Sequence, residues 1–116
     1  MLDRDGEGMT LNTCMSLADM LAPNGIDASV KRRWVSELDG MVRVELLGES
    51  PASLAPDTMD AAPLTVPFPF DRMYWIYLIA MIEAVHGDNI RYTNAAAMFH
   101  SVYDRYAKWL ARGGAS

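Results

Sequence analysis

At 116 residues the chain has the length of one small domain, and its composition of 51% hydrophobic and 22% charged residues excludes wholesale disorder. The formal net charge of -5 argues against general binding to nucleic acid or to an anionic membrane. The single cysteine, Cys14, excludes an internal disulfide and a multi-cysteine metal site. Because the N-terminus lacks an apolar core and no apolar run reaches membrane-spanning length, we expect a soluble intracellular protein.

Two helices are predicted in the first half of the chain, after a flexible, charged tail of residues 1–8. Thr10 is a suitable N-cap, and apolar residues follow it at helical spacing until the turn at residues 23–25. The second helix is predicted from residues 27–29 to about Leu47. Along this helix, one line consists of Val30, Trp34, Leu38, Met41 and Glu45, and its apolar stripe is widened by Val35, Val42 and Leu46.

Three consecutive basic residues, Lys31, Arg32 and Arg33, lie near the start of this second helix. The helix dipole disfavours cations at that end. They are interpreted either as a solvated basic turn or as a contact with a partner or an acidic neighbour. Charge patterning favours the solvated turn.

Residues 49–69 lose the helical pattern and contain five of the six prolines. The only strand-like run in this segment is Leu64 to Val66. A structureless connection of about twenty residues is uncommon in a compact domain, and it is usually functional or disordered. We therefore predict an extended docking arm, with a flexible linker as the alternative.

A helical hairpin is predicted in the second half of the chain. Its first helix begins at Asp71, whose carboxylate can cap it, and residues 73–82 have no polar face, so it must be covered all round. Three partner helices would cover about two thirds of such a surface, and the remainder implies a subunit interface or the long loop folded over it. After a hinge at Gly87 and Asp88, an aromatic-rich helix runs to about Ala111, and residues 113–116 form a flexible tail.

The titratable residues offer little chemistry. His86 and His100 fit no metal-ligand spacing, and we expect the first to cap its helix and the second to lie on the surface. Cys14 is expected to be a buried small hydrophobe. Glu83 is the only acid in the body of its helix and is expected to pair with Arg91 across the hairpin. We predict no catalytic residue, no cofactor and no metal site. Stacking of bases on the tyrosines and tryptophans is rejected because the chain is acidic.

Three runs of sequence carry a family resemblance. Trp34 to Gly40 resembles a Trp-x-Ser-x-Leu-Asp/Glu-Gly signature, and Leu64 to Tyr74 resembles Leu-x-Val-Pro-x-Pro-Tyr-Asp-x-x-Tyr. Asn89 to Tyr103 is similar to Arg-Tyr-Asn-Asn-x-x-x-Met-Phe-Asn-x-Ala-Tyr, with Trp109 at the position of a closing tryptophan. These signatures are those of small helical head-to-tail connector (adaptor) proteins of tailed phages and prophages. The resemblance covers about residues 27–110, with Phe70 and Thr93 replacing a family tyrosine and asparagine.

The resemblance implies a virion structural protein of the phage neck, assembled in the host cytoplasm and acting without catalysis. It implies a homo-oligomeric ring below the portal, twelve-fold to match it, and contact with the portal protein and with the next neck or tail component, a stopper or tail terminator. DNA would be only passing cargo, and no membrane is involved. A small phage regulatory or assembly-chaperone protein that binds a partner through its apolar hairpin is the alternative function. An enzyme would require a polar cleft around Glu83, His86 or Cys14.

The fold class is therefore predicted to be all-α, a single domain of about four helices over residues 1–116, with a long proline-rich loop between the second and third. Rings and apolar side chains at helical spacing are candidates for the core or for a subunit interface. The sequence leaves both roles open for each of them. The packing and interface candidates are Trp34, Leu38, Pro67, Phe68, Phe70, Tyr74, Trp75, Tyr77, Tyr92, Phe99, Tyr103 and Trp109.

Overall fold

The computed structural model describes residues 9–50 and 63–114, which contain four helices. These are α1 (Leu11–Leu21), α2 (Ala28–Glu45), α3 (Arg72–His86) and α4 (Asn89–Ala111). Within the described residues there is no strand, only an isolated bridge between Thr10 and Pro63. The predicted all-α fold is therefore confirmed. The predicted tail of residues 1–8, the last two residues, and residues 51–62 of the predicted arm lie outside the described part of the chain.

Side-chain caps begin three of the four helices. Thr10, Asp27 and Asp88 each accept a hydrogen bond from a backbone N–H two or three residues further on, which satisfies an amide of the first turn. The predicted cap by Asp71 is wrong, since its carboxylate makes no capping bond. Asp71 itself has a helical backbone conformation, and its carbonyl and that of the residue before it already accept bonds from the first turn of α3.

The hairpin of α3 and α4 has the connection that the sequence predicts. Gly87 ends α3 in the left-handed conformation with φ of 76°, which glycine adopts without strain, and Asp88 begins the next helix. The two helices pack along each other, and α3 also contacts α1 and α2. α3 is therefore the central helix of the molecule.

The apolar surface of α3 is covered mainly by its own chain. The side chains of Met73, Tyr74, Leu78 and Ile82 are fully buried, and those of Ile76 and Ala80 are nearly so. The alternate positions between them are half-buried: Trp75, Tyr77, Ile79 and Met81. Part of the cover comes from the segment before α3, in which Leu64 and Val66 are buried. Of the two explanations offered for the remaining third of its surface, the folded-over loop accounts for part of the cover, through Leu64 and Val66. A subunit interface at the half-buried positions of α3 stays a prediction.

The inward face of α2 differs from the predicted line. Val35, Leu38 and Val42 are fully buried, whereas Val30 and Met41, which the prediction placed on the apolar line, are exposed. Two polar residues of α2, Lys31 and Asp39, also face inward, where each has a hydrogen-bond partner described below. The buried face of α2 is therefore rotated relative to the predicted one. Periodicity alone counts such residues as outward-facing.

The prediction that Lys31 belongs to a solvated basic turn is wrong. Its side chain is only 4% exposed, and its Nζ lies 2.7 Å from Oδ1 of Asp19 on α1. Nζ also donates to Oδ1 of Asn24 at 3.1 Å, and the Asn24 amide donates to Asp19 at 2.9 Å. Of the two interpretations given for the basic residues, contact with an acidic neighbour is confirmed for Lys31. The three side chains fix α1 against the start of α2.

We expect this pairing to appear in the pH dependence of stability. Partial burial raises the pKa of Asp19, but hydrogen bonds from Lys31 and Asn24 outweigh it, so the pKa is lower when folded. The resulting stabilisation is therefore present above the unfolded pKa of about 4 and is lost as the pH falls through the lower, folded value. The difference in unfolding free energy between wild type and Asp19→Asn, measured by urea denaturation, should shrink on acidification below about pH 4. In a Lys31→Met background the shrinkage should be smaller, and a difference that does not depend on pH would contradict the pairing.

Candidate functional site

A cavity of about 540 Å³ lies where the chain enters α3. Its wall combines the side of α1, the segment Phe68 to Arg72, Trp75 of α3, and Val102 with Arg105 from α4. Its volume falls within the range of about 300–1,000 Å³ that is typical of ligand-binding clefts. Of the predicted interface residues, the structure brings Phe68, Phe70 and Trp75 together here. We refer to this feature as the entrance cavity.

The residues that precede α3 turn tightly at the rim of the entrance cavity. The Phe70 N–H donates to the carbonyl of Pro67 at 2.9 Å, and the peptide bond between Phe68 and Pro69 is cis. The Phe70 ring turns inward, with its centroid 5.4 Å from that of Tyr106 and 5.4 Å from that of Trp109. Phe68 turns outward and is 74% exposed. One ring therefore anchors the turn on α4 and the other is presented to solvent.

A buried polar network fixes the residues just before this turn. Asp39 of α2, 6% exposed, accepts from the Thr65 N–H at 2.8 Å and from the Thr65 hydroxyl at 2.9 Å. The Tyr74 hydroxyl donates to the same carboxylate at 2.5 Å and accepts from the Val66 N–H at 2.9 Å. Burial, and then the charge and hydrogen bond of Asp39, raise the pKa of Tyr74 far above its ordinary value, so this phenol stays protonated. One carboxylate therefore ties α2, α3 and residues 65–66 together.

This network changes the role of the predicted docking arm. Leu64 and Val66 are buried in the core, and the Leu64 N–H donates to the Met9 carbonyl at 2.7 Å. Residues 63–66 therefore dock on their own chain. Sequence reasoning did not assign Asp39 a role, although it lies four residues after buried Val35 on the inward side of α2.

The structure separates the predicted packing residues by burial. Leu38, Tyr74 and Phe99 lie in the core, whereas Phe68 and Tyr92 are exposed. The remaining candidates are half-buried: Trp34, Pro67, Phe70, Trp75, Tyr77, Tyr103 and Trp109.

A second set of rings lies between α3 and α4. Phe99 lies 5.2 Å from Tyr77 and 5.6 Å from Tyr103, measured between ring centroids. The Tyr103 hydroxyl donates to Oε1 of Glu45 at 2.6 Å, which links α4 to α2. Burial, and then this bond, raise the pKa of Tyr103. These contacts are intramolecular, so these aromatic residues stabilise the bundle itself.

The titratable residues singled out from the sequence are placed as follows. Glu83 is 5% exposed, with Oε2 3.9 Å from Nη1 of Arg91 and Oε1 3.5 Å from Nδ1 of His86, which confirms the predicted pairing with Arg91. Cys14 is fully buried as predicted, and burial followed by the charge of Asp19 raises the pKa of its thiol. His100 is exposed, as predicted, with its ring edge against a phenylalanine.

Neither a metal site nor a membrane span is present in the described ranges. Among residues 9–50 and 63–114, no three His, Cys, Asp or Glu side chains are grouped so that they could hold a metal ion. None of the helices in these ranges combines the length and the apolarity needed to cross a bilayer. The entrance cavity, with Phe68 exposed at its rim, is the candidate binding feature of the described residues.

Comparisons with known proteins identify no relative of the chain. No protein-family model matches the chain, and no curated protein or solved structure matches it either. A functional assignment therefore depends on the residue pattern of the chain and on the geometry described above.

Proposed function

We propose that this chain is a non-enzymatic structural subunit of a tailed-phage neck, a head-to-tail connector that forms a ring beneath the portal. The resemblance of residues 27–110 to connector signatures supports the proposal. The structural observation that carries it is Phe68, a large aromatic side chain that is 74% exposed on a segment held at both ends. Such a side chain is suited to be buried by a neighbouring subunit.

The two ends of this segment are fixed by different contacts. On one side Val66 is fully buried, and its N–H is bonded to Tyr74. On the other, the Phe70 ring packs on Tyr106 and Trp109. Because the backbone between these anchors is ordered before binding, little conformational entropy is lost when Phe68 is covered. Ordered aromatic side chains are common energetic centres of protein interfaces.

Other exposed apolar side chains lie on different helices. Leu21 is at the end of α1, Met41 is on α2, and Val85 and Ile90 flank the hinge between α3 and α4. A ring subunit needs two different lateral faces, because a heterologous contact must be repeated around the ring until it closes. It also needs contacts above and below. Exposed apolar residues on all four helices are compatible with that requirement.

The proposed partners follow from this role. They are copies of the same chain in a ring that matches the twelve-fold portal, the portal protein, and the next neck or tail component, a stopper or tail terminator. DNA would pass through the ring, and the net charge of -5 would disfavour its adhesion to the protein. The proposed location is the virion neck.

Virions of the phage that encodes this chain provide the test. Mass spectrometry of purified particles should detect the protein in a fixed ratio to the portal protein. Its absence from mature particles, together with its presence in infected cells, would overturn the structural role and favour the assembly-chaperone alternative.

Phe68→Asp should abolish attachment to the portal while the protein stays folded. The substituted side chain is exposed, so we expect the unfolding free energy to change by no more than about 0.5 kcal/mol. Buried in an interface, the new carboxylate would have no partner, which is costly. Co-sedimentation with purified portal rings measures the loss, and Phe68→Leu, which keeps an apolar side chain, should retain binding. Undiminished binding by Phe68→Asp would show that Phe68 is not part of the interface.

A further inference from the structure

We propose that the entrance cavity is a docking site for an anionic, apolar peptide segment of a partner protein. The segment would place an apolar or aromatic side chain in the cavity and carboxylates at its rim. This inference deepens the proposed function, on which it rests for the identity of the partner. The chemistry of the segment follows from the cavity alone.

The first observation is that the cavity has two arginines without a counter-ion among the described residues. Most cationic side chains of the described residues have a carboxylate close by, as at Lys31, Arg43 and Arg91. Arg72 and Arg105 both line the cavity and are exposed, and no carboxylate of residues 9–50 or 63–114 lies within 4.0 Å of either guanidinium. Within the described residues, the structure therefore leaves two guanidinium groups available to bind a carboxylate of another molecule.

The second observation is that the local charge is opposite to that of the whole protein. Among the described residues that line the cavity, the charged ones are Arg72, Arg105 and the buried Asp71, which together give a local charge of +1. The chain as a whole carries -5. The net charge disfavours general adhesion of an anionic partner, whereas the local positive charge favours its binding at the cavity.

The third observation is the apolar part of the wall. Leu17, Phe68, Trp75 and Val102 line the same cavity as the arginines. Phe68 is exposed at the rim and Trp75 is half-buried. A bound side chain that covers these surfaces gains hydrophobic energy that a small free anion would not provide. The occupant must therefore carry apolar and anionic groups on one chain.

A peptide fits this combination better than a nucleic acid does. Arginine binds carboxylates through two parallel hydrogen bonds, and neither Arg72 nor Arg105 is paired with a carboxylate of residues 9–50 or 63–114. A nucleic acid would also bring a run of phosphates against the acidic remainder of the protein, which two arginines do not offset. Tryptophan and arginine together are also typical of the energetic centres of protein interfaces.

Fluorescence anisotropy with the full-length protein tests the proposal. The probe is a short fluorescein-labelled peptide with one phenylalanine between pairs of glutamates, and its control has glutamines in place of the glutamates. We expect the glutamate peptide to bind and the double variant Arg72→Gln/Arg105→Gln to bind it about fivefold or more weakly. Binding of the glutamate peptide should also weaken as salt is added.

A matched control is available in Arg112. It is an exposed arginine at the end of α4 that does not line the cavity and has no carboxylate of the described residues within 4.0 Å. Arg112→Gln removes the same charge and should leave peptide affinity unchanged. Thermal melts of all variants separate lost binding from lost folding, and we expect the melts to coincide because the three arginines are exposed.

Several outcomes would overturn the inference. Equal binding of the glutamine peptide would show that the carboxylates are not recognised, and equal loss in Arg112→Gln would show that only the overall charge matters. Displacement of the peptide by oligodeoxythymidine would indicate a nucleic-acid site. Concentration-dependent self-association of the unliganded protein that disappears in the double variant would show that a second copy of this chain is the occupant. Failure of the peptide test while the protein is present in virions would remove this inference but leave the connector role standing.

Discussion

Replacing Asp39 by alanine is expected to lower the free energy of unfolding by about 2 to 5 kcal/mol. The buried carboxylate accepts two hydrogen bonds from Thr65 and one from Tyr74, so its removal leaves donors without an acceptor where water has little access. Because the three bonds join α2, α3 and the segment before α3, the loss should also release residues 63–66 from the core. Urea denaturation gives the change in free energy, and amide exchange at Thr65 and Val66 reports the release.

Tyr74→Phe measures the contribution of the hydrogen-bond network separately from that of ring burial. It keeps the ring in the core but removes the hydroxyl that bridges Asp39 and the Val66 N–H, and we expect a loss of about 1 to 3 kcal/mol. Tyr92→Phe is the matched control, an exposed tyrosine whose change should stay within about 0.5 kcal/mol. The double variant Asp39→Ala/Tyr74→Phe should lose less than the sum of the single changes because the two groups share one bond. Strict additivity would contradict the network.

Phe99→Ala should destabilise the isolated protein by about 3 to 5 kcal/mol, the usual cost of removing a buried phenylalanine. Phe99 lies in the core between α3 and α4 and contacts the rings of Tyr77 and Tyr103. Met98 is the next residue on the same helix and is exposed, so Met98→Ala should change the unfolding free energy by no more than about 0.5 kcal/mol.

This pair of variants decides between two roles that the sequence leaves open for Phe99. If the ring is part of the core, the melting temperature of dilute Phe99→Ala falls steeply, whereas that of Met98→Ala does not. If the ring is instead an intersubunit contact, the dilute protein keeps its stability and only assembly fails. The second result would contradict the packing described for α4.

The helices could be predicted from local sequence because their signals are local. Thr10 and Asp88 cap the helices that they precede, and Gly87 ends α3, all as turn and cap chemistry requires. The prediction failed at Asp71 because its own backbone is already helical, and the carbonyls of Phe70 and Asp71 accept from the first amides of α3.

The inward face of α2 could not be predicted in the same way. Lys31 is buried because Asp19, twelve residues earlier, accepts from it, and Asp39 is buried because Thr65, twenty-six residues later, donates to it. Hydropathy periodicity gives no information about such distant partners, so Lys31 was predicted to be solvated and Asp39 was assigned no role. The same limit applies to α3, whose cover includes the buried Val66 from a loop.

Only part of the entrance cavity could be found from sequence. Phe68, Phe70 and Trp75 were among the candidates because they are aromatic, but Arg72 and Arg105 were not. A signal for the arginines does exist. Neither has an acidic residue three or four positions away, whereas Lys108 has Asp104 at that spacing and pairs with it at 3.0 Å. That both arginines reach the same cavity depends on the tertiary packing of α3 against α4, which the sequence pattern does not specify.

Native mass spectrometry of the purified protein, with and without portal rings of the same phage, tests whether this chain assembles as a connector ring. We expect a new species whose mass equals the portal ring plus a whole number of copies of the chain, twelve if it matches the portal symmetry. Phe68→Asp should remove that species while its monomer stays folded. A protein that is strictly monomeric alone and leaves the mass of the portal ring unchanged at every concentration would rule out the connector ring.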